Sequence, residues 1–157
     1  MMMELDSPLV LWFHSVNNTK WDISSYKNIS NMSNYIEFST ILRSIEHKIF
    51  PNSMLFIMNK GIEPTWEDPK NKVGGTWSFK IDDNRILDVW WNINNLFINN
   101  TLFKEDTIVN GLSVAPKKGY YILKIWSGEK ADKCSFSDEL ENIGSEFNKS
   151  SSQYKSN

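Results

Sequence analysis

The 157-residue chain contains little of the material from which several common sites are built. Its one cysteine, Cys134, cannot form a disulfide within the chain, and its two histidines, His14 and His47, leave little for a zinc centre or a histidine-based catalytic triad. No run approaches the roughly 18 apolar residues that span a bilayer. The first residues lack the charged and apolar regions of a secretory signal. These absences predict an intracellular, soluble protein with no membrane partner.

The charge balance excludes a broad basic surface for nucleic acid. Seventeen Lys and Arg stand against 19 Asp and Glu, which gives a formal net charge of −2 and a pI near 5.7. An anionic ligand must therefore be met by a local patch of cations. The hydrophobic fraction of 40% and the charged fraction of 23% are typical of a globular protein, and the length suits a single domain.

Tryptophan is over-represented in the chain, and its excess is the one that points to function. The chain has seven, about three times the number expected from average usage. The 18 asparagines are a second excess, but asparagine is a poor former of helices and strands, and a base bias in the genome accounts for it without any chemistry. Function is therefore expected among the tryptophans.

The order of predicted elements favours an antiparallel α+β domain, because strands and helices do not alternate regularly. Clusters of β-branched and aromatic residues predict strands over 9–13, 53–58, 76–81, 107–115 and 120–126. Apolar residues at helical spacing predict helices over 34–50, 87–97 and 135–148. Asn34 and Glu37 stand in capping-box spacing, and Ser135 is the candidate cap of the third helix. The polar residues 150–157 predict a frayed tail, which leaves residues 1–149 as the folded domain.

Residues 61–77 form the most informative segment. Two prolines and a glycine pair bracket it, which predicts a loop leading into a strand. Within this loop Trp66 stands beside Glu67 and Asp68. An aromatic face next to a carboxylate suits a flat cationic ligand, because the ring attracts the cation and the carboxylate accepts its N–H groups. The structural alternative is that Trp66 packs on the core while the two carboxylates cap a turn.

Short stretches of this loop combine with segments elsewhere to form a recognisable pattern. In the loop they are Gly-Ile-Glu-Pro at 61–64, Trp-Glu-Asp at 66–68, Asn-Lys at 71–72 and Gly-Gly-Thr-Trp at 74–77; elsewhere they are 11–13, 20–21, 87–91 and 111–126. This pattern, which runs from about Pro8 to Phe147, resembles the mRNA cap-binding translation initiation factor 4E family. The resemblance implies a single domain with a curved antiparallel sheet and about three helices on its convex face. It also implies a non-enzymatic protein without a cofactor, whose ligand is the 7-methylguanosine cap.

The resemblance assigns a role to four residues of the base-binding site. Trp21 and Trp66 match the two residues that sandwich the methylated base, and each desolvated cation–π contact is worth about 2 kcal/mol or more. Glu67 matches the carboxylate that accepts the N1–H and N2–H bonds of guanine, and the backbone N–H of Trp66 is used for O6. Trp126 matches the residue that contacts the N7 methyl group.

The family's phosphate-binding cations are only partly present. The resemblance places Lys117 on the position of a family Arg and Lys118 one residue from the position of a family Lys. Three other basic positions of the family are neutral here: Gly119, Ile122 and Thr76. These departures imply a weaker triphosphate contribution unless Lys118, Lys124 or Lys72 compensates.

The surface on which the family binds helical scaffold and repressor peptides is also altered. The resemblance places Ser39 where the family has an exposed tryptophan on its first helix, and it places Asn92 and Asn100 where the second helix has an apolar residue and a glycine. Leu96 is retained. Helix-in-groove recognition depends on apolar anchors, so weak or altered binding of the usual scaffold peptides is expected. The other tryptophans are expected to pack between sheet and helices: Trp12, Trp77, Trp90 and Trp91.

Three functions stay open at this point. The first is a monomeric, cytoplasmic factor that binds the capped 5′ end of mRNA for translation initiation. The second is a cap-sequestering repressor that does not recruit the usual scaffold. The third is a hydrolase of capped nucleotides that uses Glu67 and Asp68 as acid–base groups or metal ligands, although adjacent carboxylates on a loop more often point apart. Short ends, with 152–155 as the remnant of a last strand, and the Asn/Ile/Lys-rich composition suggest a divergent viral member.

Overall fold

The structure, a computed structural model, describes residues 3–157. Its strands are β1 (Glu4–Ser15), β2 (Lys27–Asn34), β3 (Ser53–Asn59), β4 (Gly75–Asp82), β5 (Val109–Pro116), β6 (Tyr120–Ser127) and β7 (Ser152–Ser156). Its α-helices are α1 (Tyr35–Arg43), α2 (Pro69–Lys72), α3 (Ile86–Ile98) and α4 (Asp138–Ile143). Short 3₁₀ turns cover Ile23–Ser25, His47–Asn52, Asp83–Arg85 and Lys149–Ser151. In residues 3–157 no helix is long and apolar enough to span a bilayer.

All seven strands belong to one antiparallel sheet, in the order β2-β1-β3-β5-β6-β4-β7. Successive residues of a strand point to opposite faces, and the two faces differ in what covers them. On one face, strand residues such as Ile57 and Leu123 pack with Phe38 of α1 and Trp90 of α3 in the main core. This curved antiparallel sheet, with its helices on one side, confirms the predicted fold class.

The opposite face of the sheet, called the open face below, is defined by Trp12, Phe56 and Trp126. These residues form a smaller cluster with Met58 and with Ile62 of the β3–β4 loop. Trp12 therefore corrects one prediction, because it lies on the open face rather than between sheet and helices. It does so because it stands one residue from Leu11 on β1, and Leu11 points to the main core.

The strand predictions are confirmed for β1, β3, β4, β5 and β6, whereas β2 was not predicted and β7 was expected only as a remnant over 152–155. The frayed tail over 150–157 is wrong for residues 152–156, since β7 pairs with β4 from Phe79↔Ser152 to Gly75↔Ser156. Tyr154 orders this strand: its ring lies 5.4 Å from that of Trp77, and its hydroxyl accepts a 3.1 Å hydrogen bond from the Ala131 N–H.

Two of the three predicted helices are shorter than expected. Asn34 caps α1 through a 2.9 Å bond from the Glu37 N–H, as the spacing predicted, but the helix ends at Arg43 rather than at residue 50. The chain then enters the 3₁₀ turn that brings Phe50 into the core. The third helix is limited to α4, where Ser137 rather than Ser135 accepts the capping bond and the extended Gly144 ends the helix.

Candidate functional site

Two loops that fold onto the open face carry the exposed tryptophans. The β1–β2 loop holds Trp21, which is 52% exposed, and the β3–β4 loop holds Trp66, which is 55% exposed. Because Trp66 is exposed, its ring does not pack on the core as the structural alternative required. Large apolar rings left half in water are surfaces suited to a ligand that covers them.

Trp21 is held from one side by a buried histidine. The rings of His14 and Trp21 are 4.2 Å apart and only 4° from parallel. Nε2 of His14 donates a 2.7 Å hydrogen bond to the Lys20 carbonyl oxygen, and Nδ1 has no partner among the described residues. Because His14 belongs to β1 and is fully buried, it fixes one face of the Trp21 ring to the sheet.

A chain of aromatic contacts links Trp21 to Trp126. His14 lies 4.7 Å from Tyr26, Tyr26 lies 5.5 Å from Phe56, and Phe56 lies 6.4 Å from Trp126, measured between ring centroids. The last two contacts are edge-to-face, a favourable arrangement for aromatic pairs. His14, Tyr26, Phe56 and Trp126 form the floor of the site, and Trp21 stacks on its His14 end.

Hydrogen bonding sets the orientation of Trp126 in this floor. Its indole Nε1–H donates a 2.9 Å bond to the hydroxyl of Ser113 on β5. The indole is only 8% exposed, so little of it is open to solvent above the open face. A ligand on this face therefore meets Trp126 as part of a fixed surface.

Glu67 extends over the same floor. The residue is exposed, and its carboxylate has no hydrogen bond or ion pair among the described residues. Burial, and secondarily the negative charge of Glu67, raise the pKa of the Tyr26 phenol above its ordinary value. The effect on Tyr26 indicates that the free carboxylate of Glu67 lies near the aromatic chain from Trp21 to Trp126.

The neighbouring carboxylate, Asp68, serves the loop itself. Its two oxygens accept bonds from the Glu63 N–H at 2.8 Å and the Lys70 N–H at 2.9 Å, so Asp68 caps α2 and closes the turn before it. The two adjacent carboxylates thus have different surroundings, and Glu67 is the one left for a ligand. The backbone N–H of Trp66 has no hydrogen-bond partner in the part of the chain that is described.

A buried asparagine supports the Trp66 loop from below. The Asn71 amide donates to the carbonyls of Glu63 at 3.0 Å and Thr65 at 2.8 Å, and its oxygen accepts from the Asn110 amide at 2.9 Å. From the end of the sheet, the Asn157 amide donates to the Asn71 carbonyl at 2.9 Å. This network holds both sides of the Trp66 turn to strands of the sheet.

Glycine is required where this loop enters β4. A Cβ on Gly74 would overlap the carbonyl of Ser127, and a Cβ on Gly75 would overlap the Tyr154 hydroxyl and the Lys155 carbonyl. The glycine pair therefore permits the loop to lie directly against β6 and β7. The glycine pair that predicted a loop boundary in the sequence is thus also what allows this close approach.

Lysines lie beside the aromatic floor. Lys117 and Lys118 are exposed in the β5–β6 turn. Burial, and secondarily the charges of Lys117 and Lys155, lower the pKa of Lys124. Lys117 and Lys155 therefore lie close enough to Lys124 to repel its charge, whereas the described structure shows no such interaction with Lys118.

The predicted partner surface lies on the other side of the molecule. Ser39 is half-buried and its hydroxyl donates to the Ile36 carbonyl at 3.2 Å, while Asn92 and Asn100 are exposed. Leu96 packs against the main core. Trp91 is only partly buried, and the Arg43 guanidinium lies 4.3 Å from its ring centroid. No tryptophan of α1 stands on this surface, as the sequence predicted.

Sequence reasoning did not single out several residues that build the site. His14 follows Trp12 at the two-residue spacing of one strand face, and Lys155 alternates in the same way with Gln153, so periodicity could have placed both. Tyr26 and Ser113 carry no such signal, because their partners lie in other strands. Asn71 stands in the Asn-Lys stretch of the motif, but the sequence assigned it no role.

Comparisons with known proteins agree with this arrangement. The model of the eukaryotic initiation factor 4E family matches residues 4–157. The chain is 26% identical over 149 residues to eukaryotic translation initiation factor 4E of Candida glabrata, covering 91% of the chain and 69% of that protein. A homologue from Acanthamoeba polyphaga mimivirus is 42% identical over 62 residues, which are 38% of the chain and 23% of that protein.

Solved structures show the same fold. A complex of Ascaris suum eIF4E-3 with the m7G cap superposes with a TM-score of 0.79 at 16% identity, covering 99% of this chain and 92% of the other. A complex of C. elegans eIF4E-3 with the 4E-binding protein Mextli gives the same TM-score and identity, with coverages of 99% and 94%. Because the family model matches nearly every residue, the chain belongs to the eukaryotic initiation factor 4E family.

Proposed function

We propose that this protein binds the 7-methylguanosine cap of mRNA for translation initiation. The observation that carries the proposal is the pair of half-exposed indoles, Trp21 and Trp66, on two loops that fold onto one aromatic floor. The Ascaris suum relative with the same fold is described in complex with the m7G cap, which supports the proposal.

The base lies between Trp21 and Trp66. Methylation at N7 gives guanine a delocalised positive charge, which the electron-rich faces of both rings attract. Each contact is worth about 2 kcal/mol when water is excluded, so the two rings provide much of the discrimination against unmethylated guanine. His14 keeps one face of Trp21 covered and leaves the other face for the base.

Glu67 reads the edge of the base. Its free carboxylate accepts the N1–H and N2–H of guanine as a bidentate pair, which adenine cannot supply. The unpartnered N–H of Trp66 donates to O6, and the fixed indole of Trp126 contacts the N7 methyl group. Each of these groups is free of other bonds in the described structure or is held in one orientation by it.

Lysines neutralise the phosphates. Lys117 and Lys118 come from the β5–β6 turn, and Lys124 and Lys155 come from the open face of β6 and β7. The lowered pKa of Lys124 reflects a charge that is partly buried beside two others, and an anion relieves that repulsion. Lys124 and Lys155 thereby replace cations that are absent at Thr76, Gly119 and Ile122.

The altered partner surface favours a restricted role in initiation. Ser39, Asn92 and Asn100 offer polar groups where an apolar peptide face would dock, and Arg43 covers part of Trp91. We therefore expect weak binding of the usual scaffold peptides. A cap-sequestering repressor is the second candidate function, and it is favoured if no scaffold subunit is recovered with the protein from its own source.

Hydrolysis of the cap is excluded by family and by geometry. Members of this family are binding proteins without a cofactor, so the chain is not an enzyme. Asp68 is fully engaged by the loop backbone and cannot act together with Glu67.

Three further properties belong to this proposal. The protein acts in the cytoplasm, where capped mRNA is translated, and it acts as a monomer. A viral origin is supported by the composition and by the similarity to the mimivirus protein.

Tryptophan fluorescence provides the test. Stacking on Trp21 and Trp66 should quench emission on titration with 7-methyl-GTP, and GTP should bind at least tenfold more weakly. Glu67→Gln removes the bidentate acceptor and should weaken 7-methyl-GTP binding by about 100-fold, since bonds to a charged group contribute roughly 1.5–3 kcal/mol each. Glu63→Gln, an exposed carboxylate in the same loop, is the matched control and should change little. Equal, weak binding of both nucleotides would overturn the proposal.

A further inference from the structure

The half of the open face that lies beyond Trp126 is polar and basic. Cross-strand pairs share one face, so Trp126, Thr76 and Lys155 form one row across β6, β4 and β7. The next row contains Lys124, Ser78 and Gln153, the third contains Ile122 and Lys80, and the last contains Tyr120 and Asp82. We call Lys155, Lys124, Lys80 and Tyr120 the basic strip.

We propose that the basic strip is a track for single-stranded RNA and holds the nucleotides that follow the cap. The inference rests on the proposed cap binding, which fixes where the RNA enters the strip. Lys155 and Lys124, at the end near Trp126, also serve the cap phosphates, whereas Lys80 and Tyr120 lie outside every residue assigned to the cap.

The length of the strip fits an extended polyanion. A strand rises about 3.4 Å per residue, so neighbouring rows are ~7 Å apart and Tyr120 lies about 20 Å from Trp126 along β6. A single nucleotide stacked near Trp126 cannot reach both ends. A chain of phosphates can meet a lysine at one row after another.

The far end of the strip has the features of a stacking platform. The Lys80 ammonium lies 4.5 Å from the centroid of the Tyr120 ring, so a cation and an aromatic face stand together. Proteins that bind single-stranded nucleic acid combine such rings for the bases with cations for the backbone. A base stacking on Tyr120 would move Lys80 toward the adjoining phosphate.

A cavity beside this platform offers neutral hydrogen-bonding groups. It has a volume of about 310 Å³, and its lining consists of Ser78, Phe79, Lys80, Ile122, Ser150, Ser151, Ser152 and Gln153. In the described structure the Ser78 hydroxyl and the Gln153 amide make no hydrogen bond, which leaves them for a ribose. The 2′-hydroxyl is the group by which a protein tells RNA from DNA.

The charges of the strip favour a polyanion along most of its length. Lys80, Lys124 and Lys155 take part in no ion pair among the described residues. On β4, β6 and β7 the acidic residue is Asp82, opposite Tyr120, and it marks the end of the track. An acidic protein segment would match the lysines equally, but it would not use Tyr120 as a stacking surface.

The test compares 7-methyl-GTP with an RNA pentanucleotide that carries the same cap. We expect the capped RNA to bind about tenfold more tightly than 7-methyl-GTP. The double variant Lys80→Gln, Tyr120→Ser should lose most of this gain while its affinity for 7-methyl-GTP stays within twofold. The slope of log affinity for the capped RNA against log salt should fall by about 0.7 for the lysine removed. Lys48→Gln, an exposed lysine on the helix-covered side, is the control and should keep the gain.

Each other outcome has a defined meaning. A capped RNA that binds no more tightly than 7-methyl-GTP, or a gain that survives in the double variant, overturns the track. Tighter binding of an acidic peptide than of the uncapped pentanucleotide overturns it in favour of a protein partner. If 7-methyl-GTP does not bind at all, the proposed function fails. The track is then judged on the uncapped RNA, whose binding must still fall in the double variant.

Discussion

The two loops that present Trp21 and Trp66 are supported in different ways. The Trp66 loop is tied to its surroundings by hydrogen bonds of Asp68, Asn71, Asn110 and Asn157. The Trp21 loop is held mainly by the stacking of Trp21 on His14 and by one bond from His14 to the Lys20 carbonyl. One wall of the site is therefore built by a polar network and the other by the face of a single ring.

Because the two loops are supported differently, mutations in them should separate effects on stability from effects on ligand binding. Removing a member of the polar network leaves buried polar groups without a hydrogen-bond partner and should destabilise the whole domain. Removing the ring behind Trp21 should chiefly free that indole to move, because the loop around it is exposed.

Asn71→Ala should have the largest effect. It removes three hydrogen bonds and leaves the Glu63 carbonyl without a partner, while the Thr65 carbonyl keeps only a 3.3 Å bond from the Asp68 N–H, so we expect a loss of about 3 kcal/mol in the free energy of unfolding. For a chain of this size that corresponds to a fall of roughly 6–12 °C in Tm. Thermal unfolding followed by circular dichroism measures it. Lys70→Ala, at the exposed neighbouring position, should change Tm by little, and an equal shift in both variants would remove the special role of Asn71.

Asp68→Ala should follow, with a loss of about 2 kcal/mol, because it removes a helix cap and a second charge-assisted bond. Glu67→Ala, one residue earlier, should alter the free energy of unfolding by less than about 0.5 kcal/mol, as exposed substitutions usually do. Urea denaturation of both variants checks the contrast. Similar losses at the two positions would contradict the assignment of Asp68 to the loop and Glu67 to the ligand.

The sequence predicted the central strands and the exposed loop tryptophans but not the edges of the sheet. The apolar clusters of β3 and β6 are a local signal that the sequence carries by itself. The edge strand β2 reads Lys-Asn-Ile-Ser-Asn-Met-Ser-Asn, a composition with low strand propensity, and it becomes a strand because β1 offers it a partner. β7 is ordered by Tyr154 against Trp77, a contact that local sequence cannot reveal.

The candidate site was predictable in the same uneven way. Trp66 and Glu67 stand in a motif of contiguous residues, and Trp21 follows a family spacing, so each could be named from the sequence. The role of Asn110 could not be named, because it lies 39 positions from Asn71 in the chain. Strand periodicity could have placed His14 on the open face, but not its stacking on Trp21. Their roles depend on how strands are ordered, which the pattern of residues did not specify.

His14→Ala should have a moderate effect confined to the Trp21 wall. It removes a stacked pair worth about 1 kcal/mol, so we expect 7-methyl-GTP to bind roughly fivefold more weakly and acrylamide to quench tryptophan emission more strongly. His14→Phe keeps the stack while it loses the bond to the Lys20 carbonyl, and it should bind within about twofold of the unmodified protein. Weakening by both variants alike would assign the effect to the hydrogen bond instead of the ring.

Asn157→Ala should have the smallest effect, on the Trp66 wall. It removes one partly exposed hydrogen bond to the Asn71 carbonyl, so we expect a loss of about 0.5–1 kcal/mol in the free energy of unfolding. Ser156→Ala, whose side chain makes no hydrogen bond in the described structure, should lose less. If Asn157→Ala and Ser156→Ala lose the same free energy of unfolding, the bond from Asn157 does not stabilise the loop.

The bond between Asn71 and Asn157 also has a consequence for synthesis. The two residues are 86 positions apart, so a ribosome that adds roughly 5–20 residues per second makes the Trp66 loop about 4–17 s before the strand that completes its support. Throughout that interval the loop lacks a complete β7, and for the first part of it β6 as well, the strands against which Gly75 and Gly74 lie. The nascent chain therefore displays tryptophan side chains before it has a site in which to hold them, and this is the stage at which a chaperone would find it.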